Sequence, residues 1–149
     1  MNKAPKPLPQ EADMFGSLLG YHLRRLSVTV MADLTKSLSR LGLKPADASI
    51  LFVIASQPGI TQSDVGKVLG ILRANMAPLI AGLVNQGLIE REAVDGRSQA
   101  LRLSIAGHSV CRHAQSATRD HEKRFFGALS GRDRARMLAQ VRALWEAHN

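Results

Sequence analysis

A mainly α-helical fold with one small β-hairpin is what this sequence of 149 residues predicts. Three observations carry that expectation. Apolar residues recur every three or four positions over most of the chain. Glycines and prolines cut the periodicity into separate helices. Only the stretch from Leu88 to Leu103 changes to strand-like spacing, about an Asp95-Gly96 turn signal.

The first long segment, Met14 to Leu41, places Phe15, Leu19, Leu23, Leu26, Val30, Leu34, Leu38 and Leu41 on one helical stripe. Such a helix would be roughly 40 Å long, with Asp13 capping its start and Gly42 its end. Met14, Leu18, Tyr21, Arg25 and Val28 form a second stripe on another face. A helix with two apolar faces serves two neighbours, its own domain and a partner subunit. This predicts a homodimer.

Residues 44–56 form a short helix with Pro45 at its first position and Ala48, Leu51, Phe52 and Ala55 facing inward. Gln57-Pro58-Gly59 stops it. Thr61 then caps a third helix, with Asp64 as the shorter-acid version of a capping box. Val65, Val68 and Leu69 are expected to face inward, and Gly70 closes the helix. The tight Gly70-Ile71-Leu72 connection leads to a fourth helix over about residues 73–86. Its inner face is Met76, Leu79, Ile80, Leu83 and Val84, and Gly87 ends it.

In the hairpin, Leu88 and Ile89 lie opposite Leu101 and Leu103. A fifth helix covers about 105–128, and a sixth is capped by Ser130 with Asp133 at its third position. Met137, Leu138, Val141, Leu144 and Trp145 line one side of the sixth helix. The implied organisation is a mobile N-terminal arm (1–12), an N-terminal dimerisation helix (13–43), a compact helical unit with its hairpin (44–104) and C-terminal dimerisation helices (105–149).

Composition narrows the function. Apolar residues make up 45% of the chain, which suits a folded protein, and the 4% aromatic content is too low for a platform that stacks single-stranded nucleic acid. The formal charge of +8 favours an anionic partner, with double-stranded DNA the first candidate. Residues 42–107, however, carry six basic side chains against five acidic ones, so contacts there must come from a few placed arginines. Cys111 is the only cysteine, which excludes a disulfide framework or zinc cluster. The proline-bearing start lacks the apolar core of a signal peptide, and the run from Ile50 to Ala55 is too short to span a bilayer. These features predict a cytoplasmic protein with no membrane association.

In a helix-turn-helix, the first turns of the second helix touch bases. Those turns here present Arg73, Ala74, Asn75 and Ala77. Arginine can grip guanine O6 and N7 together, and asparagine adenine N6 and N7. The alternative is that Arg73 holds a phosphate and Asn75 helps to cap the helix. Arg91 and Arg102, on the strands, are phosphate candidates, as are Thr61, Gln62 and Ser63 at a helix start. Pro78 removes a backbone donor inside the recognition helix and can bend it.

The segments ITQSDVGKVLG (60–70), RANMAPLIAGLVNQGLIERE (73–92) and DGRSQALRLSIAG (95–107) resemble the MarR (multiple antibiotic resistance regulator) family of winged helix-turn-helix proteins. The resemblance runs from about Met14 to Trp145. It implies a winged helix-turn-helix domain plus terminal dimerisation helices, a pseudo-palindromic operator, and release from DNA by a small molecule. It also implies that Arg97 at the wing tip enters or borders the minor groove, that Asp95 orients it, and that Ser98 lies in the same contact region. A polar or basic residue is commonly found where this chain has Pro78.

Tyr21, His22, Arg24 and Arg25 are the candidate ligand residues. A cation on a partly buried face wants an anion, so an aromatic acid or its acyl-CoA thioester is the expected effector; Arg25 could instead snorkel to solvent or pair across a dimer. His108, His113 and His121 lack acidic or cysteine neighbours at metal-ligand spacing, so neither a metal nor a cofactor is expected. Cys111 could be an oxidation sensor, as in some relatives, but its small apolar neighbours favour a buried thiol. No phosphate loop, nucleophile elbow or paired-carboxylate site marks an enzyme. The reading is therefore a ligand-released repressor of a nearby catabolic or efflux operon. The alternative is a winged-helix module for architectural DNA binding or protein contacts, without an effector.

Overall fold

The computed structural model describes the backbone of residues 15–95 and 98–148, and the side chains of all of these except 94, 95 and 98. Among the described residues six helices and one hairpin follow in order: α1 (Leu19–Ser39), α2 (Pro45–Ser56), α3 (Gln62–Leu69), α4 (Arg73–Asn85), β1 (Ile89–Asp95), β2 (Ser98–Leu103), α5 (Ile105–Phe126) and α6 (Gly131–Glu146). The expected arm 1–12, the Asp13 cap, Met14 and Arg97 lie outside the described residues.

Helix α1 is shorter than its apolar stripe. Its N-cap, Leu18, is extended rather than helical, so the periodicity from Phe15 onward spans a bend. At the other end Leu41, Gly42 and Leu43 bond back to the Leu38 and Ser39 carbonyls, and Gly42 turns the chain with φ at +69°.

Helix α2 is apolar nearly all round, and the core surrounds it. Ile50 and Ile54 are fully buried along with Ala48 and Leu51, beyond the single inner face that the sequence predicts. The backbone N–H of Lys44 donates to the Asp47 carboxylate at 2.8 Å, which satisfies one orphan donor at the helix start.

Helices α3 and α4 meet at 115°, within the range of a helix-turn-helix. Gly70 makes the corner possible, because its left-handed φ of +64° would strain any residue with a Cβ. Gly66 sits in the same turn: its carbonyl accepts from the Ile71 N–H at 2.9 Å. Val65 is buried, but Val68 is 58% exposed and does not face inward as expected. Residues four apart share a helix face more closely than residues three apart, so Val65 and Leu69 turn to the core while Val68 falls on the solvent side.

The two strands pair antiparallel, with Ile89 opposite Leu103 and Arg91 opposite Leu101, and a register shift between Ala93 and Asp95. One core joins these pieces. It contains Leu38, Leu43, Ile50, Leu51 and Ile54 from the first two helices, Val65, Met76, Ile80 and Leu83 from the helix-turn-helix, and Leu88, Ile89, Leu101 and Leu103 from the hairpin. Cys111 and Ala114 extend it onto α5.

The junction between hairpin and α5 is tight. The Ser104 hydroxyl donates to the Gly87 carbonyl at 2.6 Å and accepts from Gly107 N–H at 2.9 Å. Gly107 lies against the Leu88 carbonyl so closely that a Cβ there would clash with it. The Ser130 hydroxyl caps α6 as the sequence predicts, accepting from Asp133 N–H at 3.1 Å. None of the α6 residues is buried within the single chain. Among the described residues no single helix is long and apolar enough to cross a membrane.

Candidate nucleic-acid interface

The α3–α4 corner and the hairpin enclose a groove of about 880 Å³. Thr61, Gln62, Ser63 and Lys67 line it from α3 and its cap, Leu72 and Arg73 from the start of α4, and Arg91 and Gln99 from the strands. Five residues singled out from sequence therefore converge on one concave surface: Thr61, Gln62, Ser63, Arg73 and Arg91.

Strand alternation decides which hairpin arginine reaches it. Arg91 pairs with Leu101 and shares the face of Gln99, 3.4 Å from the Gln99 side-chain oxygen. Arg102 falls on the opposite face, where its Nε donates to Glu92 at 2.7 Å. The two arginines look equivalent in sequence, but only Arg91 lines the groove.

Thr61 is committed locally. Its hydroxyl accepts from Asp64 N–H at 3.2 Å and donates to the Asp64 carboxylate at 2.8 Å. Lys67 lies 2.9 Å from the other oxygen of that carboxylate. The bond from Lys67, then that from Thr61, hold the Asp64 carboxyl below its ordinary value. The exposed side chains left to meet a phosphate in this turn are those of Ser63 and Lys67.

On α4, Met76, Ile80 and Leu83 are buried, while Arg73, Ala74, Asn75, Ala77 and Pro78 are exposed. The base-reading candidates thus point away from the core. Pro78 stands inside the helix. The side chains of Asp95 and Ser98, and all of Arg97, lie outside the described residues.

The four ligand candidates cluster near the start of α1. Tyr21 is half-buried and stacks on Phe15 with ring centroids 4.9 Å apart. The Arg25 guanidinium donates to the Tyr21 hydroxyl at 3.0 Å, and the Arg24 and Arg25 head groups lie 5.6 and 5.8 Å from the ring centre. His22 meets the edge of the same ring and bonds to the Gly16 carbonyl at 2.9 Å. The result is a two-cation aromatic cluster, open to solvent in the single chain.

Cys111 is buried, with its Sγ 3.8 Å from the Leu51 carbonyl, and burial pushes its thiol pKa up.

A network unforeseen in the sequence links α1 to α5. Asp33 meets His121 Nδ1 at 2.8 Å and an Arg124 nitrogen at 2.6 Å, and Arg124 also reaches the Ser37 hydroxyl at 3.1 Å. Its members lie 87 to 91 residues apart along the chain, so no local motif announces it.

Comparison with known proteins agrees with this architecture. Residues 41–98, which include the whole helix-turn-helix, match the MarR family. The HTH-type transcriptional repressor Rv2887 of Mycobacterium tuberculosis is 24% identical over 128 residues, covering 83% of this chain and 92% of the relative. The transcriptional repressor CouR bound to a 23-mer DNA duplex superposes with a TM-score of 0.85 at 28% identity, over 93% of this chain and 99% of CouR. CouR bound to p-coumaroyl-CoA superposes at 0.82 with 27% identity, over 93% of this chain and 97% of CouR. With its helix-turn-helix, hairpin and flanking long helices all in place, the chain is similar over nearly its whole length to winged helix-turn-helix transcriptional repressors, and its central part, residues 41–98, matches the MarR family.

Proposed function

We propose that the chain is a homodimeric, sequence-specific repressor of a nearby catabolic or efflux operon, released from its operator by an aromatic acid or an acyl-CoA thioester. The observation that carries the DNA half of this reading is the groove in which Gln62, Ser63, Arg73 and Arg91 converge beside an outward-facing α4. A protein of this kind acts in the cytoplasm, where its DNA lies.

Phosphate contacts from Ser63, Lys67 and Arg91 would set the protein on the duplex, and Arg73 and Asn75 would read base edges. Arg97, with Asp95 and Ser98 beside it in sequence, would reach the minor groove from the wing tip. Narrow A·T-rich minor grooves attract such an arginine.

Dimerisation is supported by apolar surface left open on the single chain. Leu18, Leu19, Val28 and Met31 near α1, and Met137, Leu138, Leu144 and Trp145 on α6, are all exposed. Large apolar side chains gathered in this number on two terminal helices suit an association site. Pairing two chains through these helices would set the recognition helices at one separation, and half-sites must lie about 34–36 Å apart.

The effector half rests on the Tyr21 cluster, where two guanidiniums beside an aromatic ring suit an aromatic anion. CouR, similar in fold, binds p-coumaroyl-CoA. A mobility-shift titration on the DNA upstream of the chain's own gene, with a panel of phenolic acids and acyl-CoAs, tests both halves. Sequence-specific retardation reversed by one compound class is the expected outcome. Equal retardation of unrelated duplexes, unaffected by any compound, would leave the architectural alternative standing.

A further inference from the structure

The outward surface of α4 is short of hydrogen-bonding groups. Of its exposed residues from 73 to 78, only Arg73 and Asn75 carry a polar side chain. Ala74 and Pro78, four apart, form the ridge across the helix from the buried Met76, Ile80 and Leu83. Just before the helix stands Leu72, 74% exposed, on the wall of the groove beside Arg73.

A large aliphatic side chain at the start of the proposed recognition helix is thus left largely open to water among the described residues. Proline sharpens the same property, since it has no N–H to offer and presents ring methylenes instead. The major groove displays one apolar group among its hydrogen-bonding edges, the C5-methyl of thymine.

We infer that Leu72, Ala74 and Pro78 are specificity-determining residues that read thymine C5-methyl groups in the operator, with Arg73 and Asn75 reading the flanking base edges. This rests on the DNA-binding reading above and names the chemistry of the same surface. Discrimination of thymine from cytosine at the contacted steps then comes from apolar contact rather than from a hydrogen bond. Duplex DNA is the committed occupant, because Leu72 sits on the wall that also carries Arg73, Arg91 and Lys67. A partner protein covering Leu72 would leave binding indifferent to thymine methylation.

The test uses the full chain and an operator enriched from a pool of random duplexes. Each thymine of the half-sites is then replaced singly by deoxyuridine, which keeps the O4 acceptor and base pairing and removes only the methyl. At one or two positions per half-site, affinity should fall about fourfold, the equivalent of one buried methyl group of about 0.8 kcal/mol. Symmetric replacement in both half-sites should cost about fifteenfold if the two act independently. Leu72→Ala and Pro78→Ser should bind the thymine operator more weakly and lose the sensitivity to deoxyuridine at their own positions.

A defined operator that binds equally tightly with deoxyuridine at every position overturns this inference and leaves the regulator reading intact. Failure to enrich any sequence overturns both. The deoxyuridine series on the unaltered chain decides the matter even if either variant does not fold.

Discussion

His121 Nδ1 lies 2.8 Å from the Asp33 carboxylate, joining the C-terminal half of α5 to the C-terminal half of α1. The imidazole is only 1% exposed, whereas Asp33 is half-buried and also takes Arg124 at 2.6 Å. The bond from His121 first, and that from Arg124 second, hold the Asp33 carboxyl below its ordinary value. A carboxyl whose folded pKa is lowered stabilises the fold above its unfolded pKa of about 3.9 and loses that contribution as pH falls through the folded value. Asp33→Asn should therefore lower the melting temperature at pH 7, and the gap to the parent should close below about pH 4. Thermal melts across this range check it. A constant gap would detach stability from the Asp33 charge.

Arg91 and Arg102 should part company in DNA binding. Arg91→Ala should weaken operator affinity and reduce the slope of log affinity against log salt by about one unit. Arg102→Ala, which removes an exposed ion pair with Glu92 on the far face, should leave the slope unchanged. Titrations at several salt concentrations measure both slopes. Equal losses would mean that the hairpin meets DNA with both faces.

Arg97→Ala should flatten the same salt dependence by about one ion if the wing tip reaches the minor groove. An unchanged slope and affinity would remove the tip from the interface.

Cys111 should be slow to react. Its raised pKa lowers the thiolate fraction, and only 3% of the residue is open to solvent. A thiol-labelling time course should show modification at the rate of unfolding, with full reaction in denaturant. Rapid labelling of the native protein would reinstate the sensor reading.

The proposed dimer should come apart when α6 is altered. Leu138 is 59% exposed in the single chain, on the side that also carries Val141 and Trp145. Leu138→Glu should shift the sedimentation coefficient from dimer to monomer at micromolar concentration and reduce operator affinity with it. A monomeric parent protein would refute the dimer outright.

What could be read from the sequence was what is local. Thr61 with Asp64, Ser130 with Asp133, and glycine at 42, 70 and 87 fixed the ends of helices, because caps and left-handed turns depend on neighbouring residues. The hairpin register followed from where Ile89 and Leu103 must point to be buried together. Val68 departs from the expected inner face because a two-turn helix offers too few residues to fix that face. The separate fates of Arg91 and Arg102 needed the register. The Asp33–His121 bond spans 88 residues and needed the packing of α1 on α5. Leu72 reads in sequence only as part of a tight connection, and its 74% exposure emerges from the fold.

The missing side chain at Gly107 has a mechanical consequence. With no Cβ there, α5 rests directly on the Leu88 backbone at the foot of the hairpin, so this contact behaves as a fulcrum. Gly107→Ala should push the two apart at a cost of about 1–3 kcal/mol. Gly131→Ala, where a Cβ meets nothing within 4 Å, should cost little. Helix α5 is 22 residues long, a rigid arm of about 33 Å. A tilt of about 5° at the fulcrum moves the far end by about 3 Å, close to the rise of one base pair, about 3.4 Å. The far end of α5 therefore magnifies any change in how the helix seats on the foot of the hairpin.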